Sequence, residues 1–394
     1  ILWSIASCSC QKKSNTGEEP TPPPVVEPSV GKVSVLLTTG NRQKEFYKEQ
    51  TDLKLIKNPN ASYSITLKPA EKFQTIYGFG AAITGSTCYN LMQMSPADRK
   101  NFLIQTFSET EGFGQNFVRI SIGCSDFSLS EYTLCDTKGI DNFALTQEET
   151  KYVIPILKEI LAINPKVQII GSPWTPPRWM KVNNLTDLQP YNHWTSGQLN
   201  PAHYQDYALY FAKWLQAMKD NGLNVNAITI QNEPLNRGNS ASMYMGWDEQ
   251  LAFVKSALGK TLRDKGFAEV KIYLFDHNYN YDNMPSQQQY PLHIYKDTEA
   301  SQYITGAAYH NYGGNPDELN NIHNQYPNKE LIFTESSIGT WNDGRSLERR
   351  LTEDMQELGI KTLNNHCKAV IVWNLMLDEH GAPNREGGCK TCFG

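Results

Sequence analysis

The strongest constraint on this chain is a rhythm. Eight short apolar runs recur along it, each followed by a longer stretch with helical periodicity. The runs are Thr75–Phe79, Asn116–Ile122, Val167–Ser172, Ala227–Asn232, Val270–Asp276, Ile304–His310, Leu331–Glu335 and Ala369–Asn374. Each reads as continuously apolar rather than alternating, as strands covered on both faces do. The clearest amphipathic stretches span 95–107, 146–163, 200–222, 247–266 and 346–363, and three open on a capping residue: Ser95, Thr146 and Asn200. Eight strands alternating with helices predict an α/β fold, the (β/α)8 TIM barrel. A doubly wound sheet is the competing architecture. Its phosphate loop is not matched, because "GFGAAITG" spaces its glycines at 78, 80 and 85 and departs from GxGxxG.

In such a barrel the site lies where strands end, so the strand-end residues matter most. They are polar with unusual consistency. The second run contains Arg119 and leads to Asp126. The third leads to Trp174, Arg178 and Trp179, and the fourth closes on Asn232 and Glu233. The fifth gives Asp276, His277 and Asn278, the sixth His310, Asn311 and Tyr312, the seventh Glu335, and the eighth Trp373 and Asn374. Glu233 and Glu335 stand out, since "AITIQNE" and "LIFTE" are core-like strands that finish in a carboxylate. Two carboxyl groups about 5–5.5 Å apart across a barrel mouth suit hydrolysis of a glycosidic bond with retention, one as nucleophile and one as acid/base. Asn232 is placed to bond a sugar 2-hydroxyl, His310 and Tyr312 to hold the nucleophile, and Trp174 and Trp373 to wall the ring. Whichever carboxyl serves as the acid is expected to have a raised pKa, and Pro234 is expected to end the strand that carries Glu233. The structural alternative is a pair of strand-end carboxylates in salt bridges with Arg119 or Arg178.

Net charge is −5, with no basic tract to suit nucleic acid and no apolar run of about 18 residues to span a membrane. Eight cysteines are present. Cys389 and Cys392 form a lone CxxC, readable as a disulfide or as free thiols; a zinc site would ask for a second pair. The chain opens on "ILWSIASCSC". Ile5–Cys8 resembles a lipobox, with Cys8 as the lipidated residue, and 9–32 is a polar, Pro-rich tether. These features predict an exported bacterial lipoprotein of the outer membrane or periplasm, anchored at Cys8.

The stretches "YGFGAAITGSTCYNL", "RISIGCSDFS", "GSPWTPPRWMK", "ITIQNEP", "AAYHNYGG", "LIFTESSIG" and "VIVWNLMLDEHG" followed by "GGCKTC" lie between residues 75 and 394. Together they resemble glycoside hydrolase family 30, retaining glycosidases built on a (β/α)8 barrel. The resemblance implies Glu233 as acid/base and Glu335 as nucleophile. It implies Asp126, Trp174, Asn232, Tyr312 and Trp373 as lining of the subsite for the non-reducing sugar, with His277 and His310 nearby, and it implies no cofactor and no metal. Within the family, which includes glucosylceramidases, β-xylosidases, xylanases and endo-β-1,6-glucanases, the loops at 184–201 and 233–247 look most like the Bacteroidetes branch acting on β-1,6-glucan. Family members carry a β-sandwich beside the barrel. Residues 33–70 are expected to supply its first strands and 71–394 the barrel, with the chain stopping just after strand eight, as a fragment would. Two other classes compete: a glycan-binding surface lipoprotein without chemistry, and a metal-dependent barrel hydrolase using His277, His310 and Asp276.

Overall fold

The computed structural model describes residues 31–55, 62–279 and 284–393. The expected lipobox at Cys8 and most of the tether lie outside these residues. The chain divides into two compact units, Ile1–Pro69 and Ala70–Gly394. In the first, Gly31–Val33 pairs antiparallel with Leu53–Leu55, and Leu36–Leu37 with Tyr47–Lys48.

The second unit is a closed barrel of eight parallel strands. They are β1 (Gly78–Ala82), β2 (Phe117–Ser121), β3 (Gln168–Ser172), β4 (Ala227–Thr229), β5 (Lys271–Asn278), β6 (Gly306–His310), β7 (Glu330–Glu335) and β8 (Cys367–Asn374). Neighbours in sequence pair in space, and β8 closes on β1. The first strand begins at Gly78, three residues later than its apolar run suggests. Gly80 brings β1 against β2 so closely that a Cβ there would sit 1.6 Å from the Phe117 carbonyl oxygen. β4 ends at Thr229, well before Pro234. The chain leaves the ladder because Asn232 N–H donates to Pro173 O and Glu233 N–H to Asp276 O, outside the strand register. The expectation that the proline ends the strand is therefore corrected.

All three foreseen caps form. Ser95 accepts from Asp98 N–H at the start of Pro96–Phe107, and Asn200 from Ala202 N–H. Thr146 accepts from Glu148 N–H, while the Glu149 carboxylate accepts from Thr146 N–H. Each cap satisfies a helix-end donor that would otherwise lack a partner. The longest helix, Tyr204–Asp220, lays Tyr207, Tyr210, Phe211 and Trp214 fully buried against the barrel.

Inside the barrel, alternation along each strand decides what faces the axis. Phe117, Ile170, Ala227, Tyr273, Ala308, Ile332, Ala369 and Ile371 make one apolar layer. Two residues further along the same face come Arg119, Ser172, Thr229, His310, Thr334 and Trp373, a polar layer toward the carboxyl ends. β5 reaches that layer differently. Its register with β6 shifts between Phe275 and His277, and Phe275 and Asp276 adopt φ of +70° and +64°. This bulge turns Asp276, rather than Phe275, into the polar layer.

No helix among the described residues is long and apolar enough to cross a membrane.

Candidate active site

The polar layer is one connected network. Asp276 is fully buried and sits at its centre. Its Oδ2 accepts from Arg119 Nη2 (2.8 Å), Ser172 Oγ (2.6 Å) and Thr229 Oγ1 (2.7 Å). Its Oδ1 accepts from Thr334 Oγ1 (2.6 Å) and faces His310 Nε2 at 3.1 Å. These partners hold its carboxyl well below the ordinary range, against the opposing effect of burial. Arg119, also fully buried, donates to Glu335 Oε2 (2.6 Å) and Asn232 Oδ1 (2.7 Å). Its guanidinium lies 4.9 Å from the Trp174 ring centroid and 5.5 Å from that of Trp373. A buried charge survives only with such pairing, and Arg119 answers both Asp276 and Glu335.

Glu335 accepts from Arg119 on one oxygen and from Tyr312 Oη (3.0 Å) on the other. Glu233 has φ +43° and accepts through Oε2 from Asn236 Nδ2 (2.7 Å) and Asn239 Nδ2 (3.1 Å). Its Oε1 faces His310 Nδ1 at 3.2 Å. One oxygen of Glu233, one of Glu335 and a ring nitrogen of His310 all lie within 4.8 Å of one another. Such a trio has the donor types of a metal site. Here, though, both imidazole nitrogens already face carboxylates and Arg119 donates to Glu335, so the positive charge comes from Arg119 and His310.

The electrostatics reverse one expectation. Burial alone would raise Glu233, but the hydrogen bond from His310, its charge and the Asn236 amide hold Glu233 below its ordinary value. His277 adds little to that hold, because burial pushes its own pKa down to about 4 and leaves it neutral near pH 7. His310 is lowered by burial but raised more by Glu335, Asp276 and Glu233, reaching about 9. Burial lifts Glu335 above its ordinary value, with His310 and Arg119 opposing and Glu233 adding to the rise. The unliganded site therefore keeps its proton on His310, between Glu233 and Asp276, rather than on Glu233 as foreseen. Asp126, at the rim, is pushed up to about 7 by burial and then by Glu335.

The mouth is a cavity of about 410 Å³ lined by six of the nine residues named from the sequence: Asp126, Glu233, His277, Tyr312, Glu335 and Trp373. The other three stand behind it. Trp174 packs on Trp373 with centroids 5.3 Å apart, Asn232 is held by Arg119, and His310 is fully buried. His310 and Tyr312 do not share one carboxylate as expected: Tyr312 bonds Glu335, whereas His310 bonds Glu233 and Asp276. Arg119 does pair with Glu335, while Arg178 lies 4.2 Å from the centroid of the Trp194 ring. Asp276 was visible as a strand end, but only the bulge reveals its central place. Asn236, Asn239 and Trp341 also line the cavity without having been singled out. The CxxC question resolves as a Cys389–Cys392 disulfide, which forms part of the cavity wall, while Cys88, Cys124, Cys135 and Cys367 are buried thiols.

Comparison with known proteins places this geometry in a lineage. The chain is 28% identical over 348 residues to the lysosomal acid glucosylceramidase of Mus musculus, an alignment covering 81% of this chain and 63% of that protein. It is 30% identical over 352 residues to an endo-1,6-beta-D-glucanase of Neurospora crassa, covering 85% and 68%. The chain thus spans about two-thirds of the length of these relatives. Among solved structures, the endo-beta1,6-glucanase BT3312 is 61% identical, with a TM-score of 0.89 over 93% of this chain and 79% of that one. Residues 76–388 match the glycosyl hydrolase family 30 TIM-barrel domain. The chain belongs to glycosyl hydrolase family 30.

Proposed function

We propose that this protein is a retaining β-glycoside hydrolase that cleaves β-1,6-linked glucan, with Glu335 as nucleophile and Glu233 as acid/base. The observation that carries the reading is the pairing of the two carboxyl groups. Their nearest oxygens lie within 4.8 Å, in keeping with the short separation, about 5–5.5 Å between carboxyl groups, that suits double displacement. The 61% identity to an endo-beta1,6-glucanase supports the choice of glucan.

Arg119 and Tyr312 fix both oxygens of Glu335 and stabilise it as the carboxylate that attacks the anomeric carbon. The leaving oxygen needs a proton at the same moment. In the unliganded site Asn236 and Asn239 donate to Glu233 Oε2, the oxygen that does not face His310. A glycosidic oxygen arriving at Oε2 displaces those amides. Losing two donors raises the proton affinity of Glu233 at Oε2, which takes up a proton from solvent and passes it to the leaving oxygen, while His310 Nδ1 holds Oε1 at 3.2 Å. Once the glycosyl–enzyme bond forms, Glu335 is neutral, and Glu233 takes a proton from the attacking water. Asp276 holds His310 throughout and keeps the imidazole oriented.

The test is the stereochemistry of the first product. Proton NMR of early β-1,6-glucan hydrolysis should show the β-anomer before mutarotation. Glu335→Ala should lose about 10³-fold or more in rate, and added azide should restore turnover as the α-glycosyl azide. An α-anomer appearing first would refute double displacement.

A further inference from the structure

A second cleft, of about 560 Å³, opens beside the catalytic cavity and shares Tyr312, Ser337 and Trp341 with it. The two adjoin at these residues. None of the residues at the sugar-ring end of the catalytic cavity, Asp126 and Trp373 among them, takes part in the second cleft, so it receives whatever extends past Tyr312. Its far side is polar, formed by Arg350, Glu353 and Asp354 of the helical segment that follows β7.

Trp341 stands at the junction. Its indole is 51% exposed, an unusual fate for the largest apolar side chain, yet it is not loose. The ring lies on the Gly339 backbone, where an added Cβ would fall 2.1 Å from Trp341 Cζ3. The loop beneath is tied by Gly339 N–H to Asn342 Oδ1 (2.9 Å), Gly344 N–H to Gly339 O (2.9 Å) and Thr340 N–H to Thr391 O (2.9 Å). Gly339 also bridges Cys392, so the Cys389–Cys392 disulfide stiffens the strand that supports the ring. A flat, pre-positioned aromatic face loses little entropy on binding. Arg350 lines the same cleft, is 7% exposed and pairs with Glu353. An exposed, supported indole that shares a cleft of ligand size with a guanidinium and carboxylates is the chemistry that binds a sugar ring: apolar C–H face on the aromatic, hydroxyls on the charges.

We infer that this cleft is a second glycan subsite, in which Trp341 stacks on a glucosyl unit of the chain beyond the one being cleaved and Arg350 bonds its hydroxyls. The inference rests on the glycosidase reading above and deepens it. A subsite of this kind rewards longer chains, so its loss costs a longer chain more than a single glucosyl unit on a small leaving group.

The experiment compares kcat/KM for a β-1,6-linked glucotetraose with that for an aryl β-glucoside in the wild type, Trp341→Ala and Trp341→Tyr. The ratio of tetraose to aryl glucoside should fall about 10-fold or more in Trp341→Ala and recover most of the way in Trp341→Tyr, which restores a flat ring. Arg350→Met should lower the same ratio. A ratio unchanged in Trp341→Ala, with the wild type active on both substrates, would overturn the subsite and leave the hydrolase reading intact. A wild type inert on every β-glucoside would overturn the hydrolase reading, and the subsite with it.

Discussion

His310 offers a sharp test of the buried network, because its charge is bound to two carboxylates at once. Consider His310→Gln, which keeps a hydrogen-bonding side chain but cannot carry charge. In the folded protein the imidazole titrates at about 9 against an ordinary 6.5. Its folded-state pKa is raised, so its contribution to stability is fully present below about pH 6.5 and is lost as pH rises through about 9. At ~1.36 kcal/mol per pH unit the contribution is about 3 kcal/mol, and no solvent discount applies because the ring is fully buried. The depressed pKa of Glu233 is the same interaction seen from its partner and is not added. The assay is urea unfolding of wild type and variant at pH 6.0, 7.5 and 9.5. The stability difference between them should shrink by about 3 kcal/mol across that range. Groups remote from His310, including the buried Lys181 whose pKa burial lowers to about 7, cancel in the difference. NMR of the wild-type imidazole should place its titration well above 6.5. A difference that is flat with pH, or an imidazole that titrates near or below its ordinary value, would refute the charged bridge between Glu233 and Asp276.

Two further outcomes follow from the same geometry. Glu233→Ala should barely slow single-turnover formation of the glycosyl–enzyme from a dinitrophenyl glucoside, whose leaving group needs no proton. It should cost about 10²–10⁴-fold on glucan, and equal losses on both would remove Glu233 from the acid role. Gly80→Ala should destabilise the barrel by about 3 kcal/mol or more in urea titration, because the new Cβ meets the Phe117 carbonyl and the β1–β2 spacing must give.

Much of the barrel was legible because its signals are local. The continuous apolar runs follow from strands covered on both faces, and Ser95, Thr146 and Asn200 start the helices for reasons contained within three residues of chain. The two carboxylates were legible for a related reason: strand ends in a parallel barrel all point to one face, so Glu233 and Glu335 had to approach each other once the fold was granted. The N-terminal edge of β1 was less so, since Thr75–Tyr77 have strand-like side chains and only pairing with β2 and β8 fixes the start at Gly78.

Which residues stand on the polar layer, and which of them touch, could come only from closure of the barrel. Alternation predicts Phe275 facing inward, two residues after Tyr273; the bulge opposite β6 substitutes Asp276, and with it the anchor of Arg119 and His310. The proton then goes where charges from four strands sum most favourably. That sum put it on His310 rather than on Glu233, because the fields of Asp276, Glu335 and Glu233 converge on one buried ring. Residue types along a strand determine what can ionise; distances across the barrel, between positions as much as 216 residues apart in Arg119 and Glu335, determine what does.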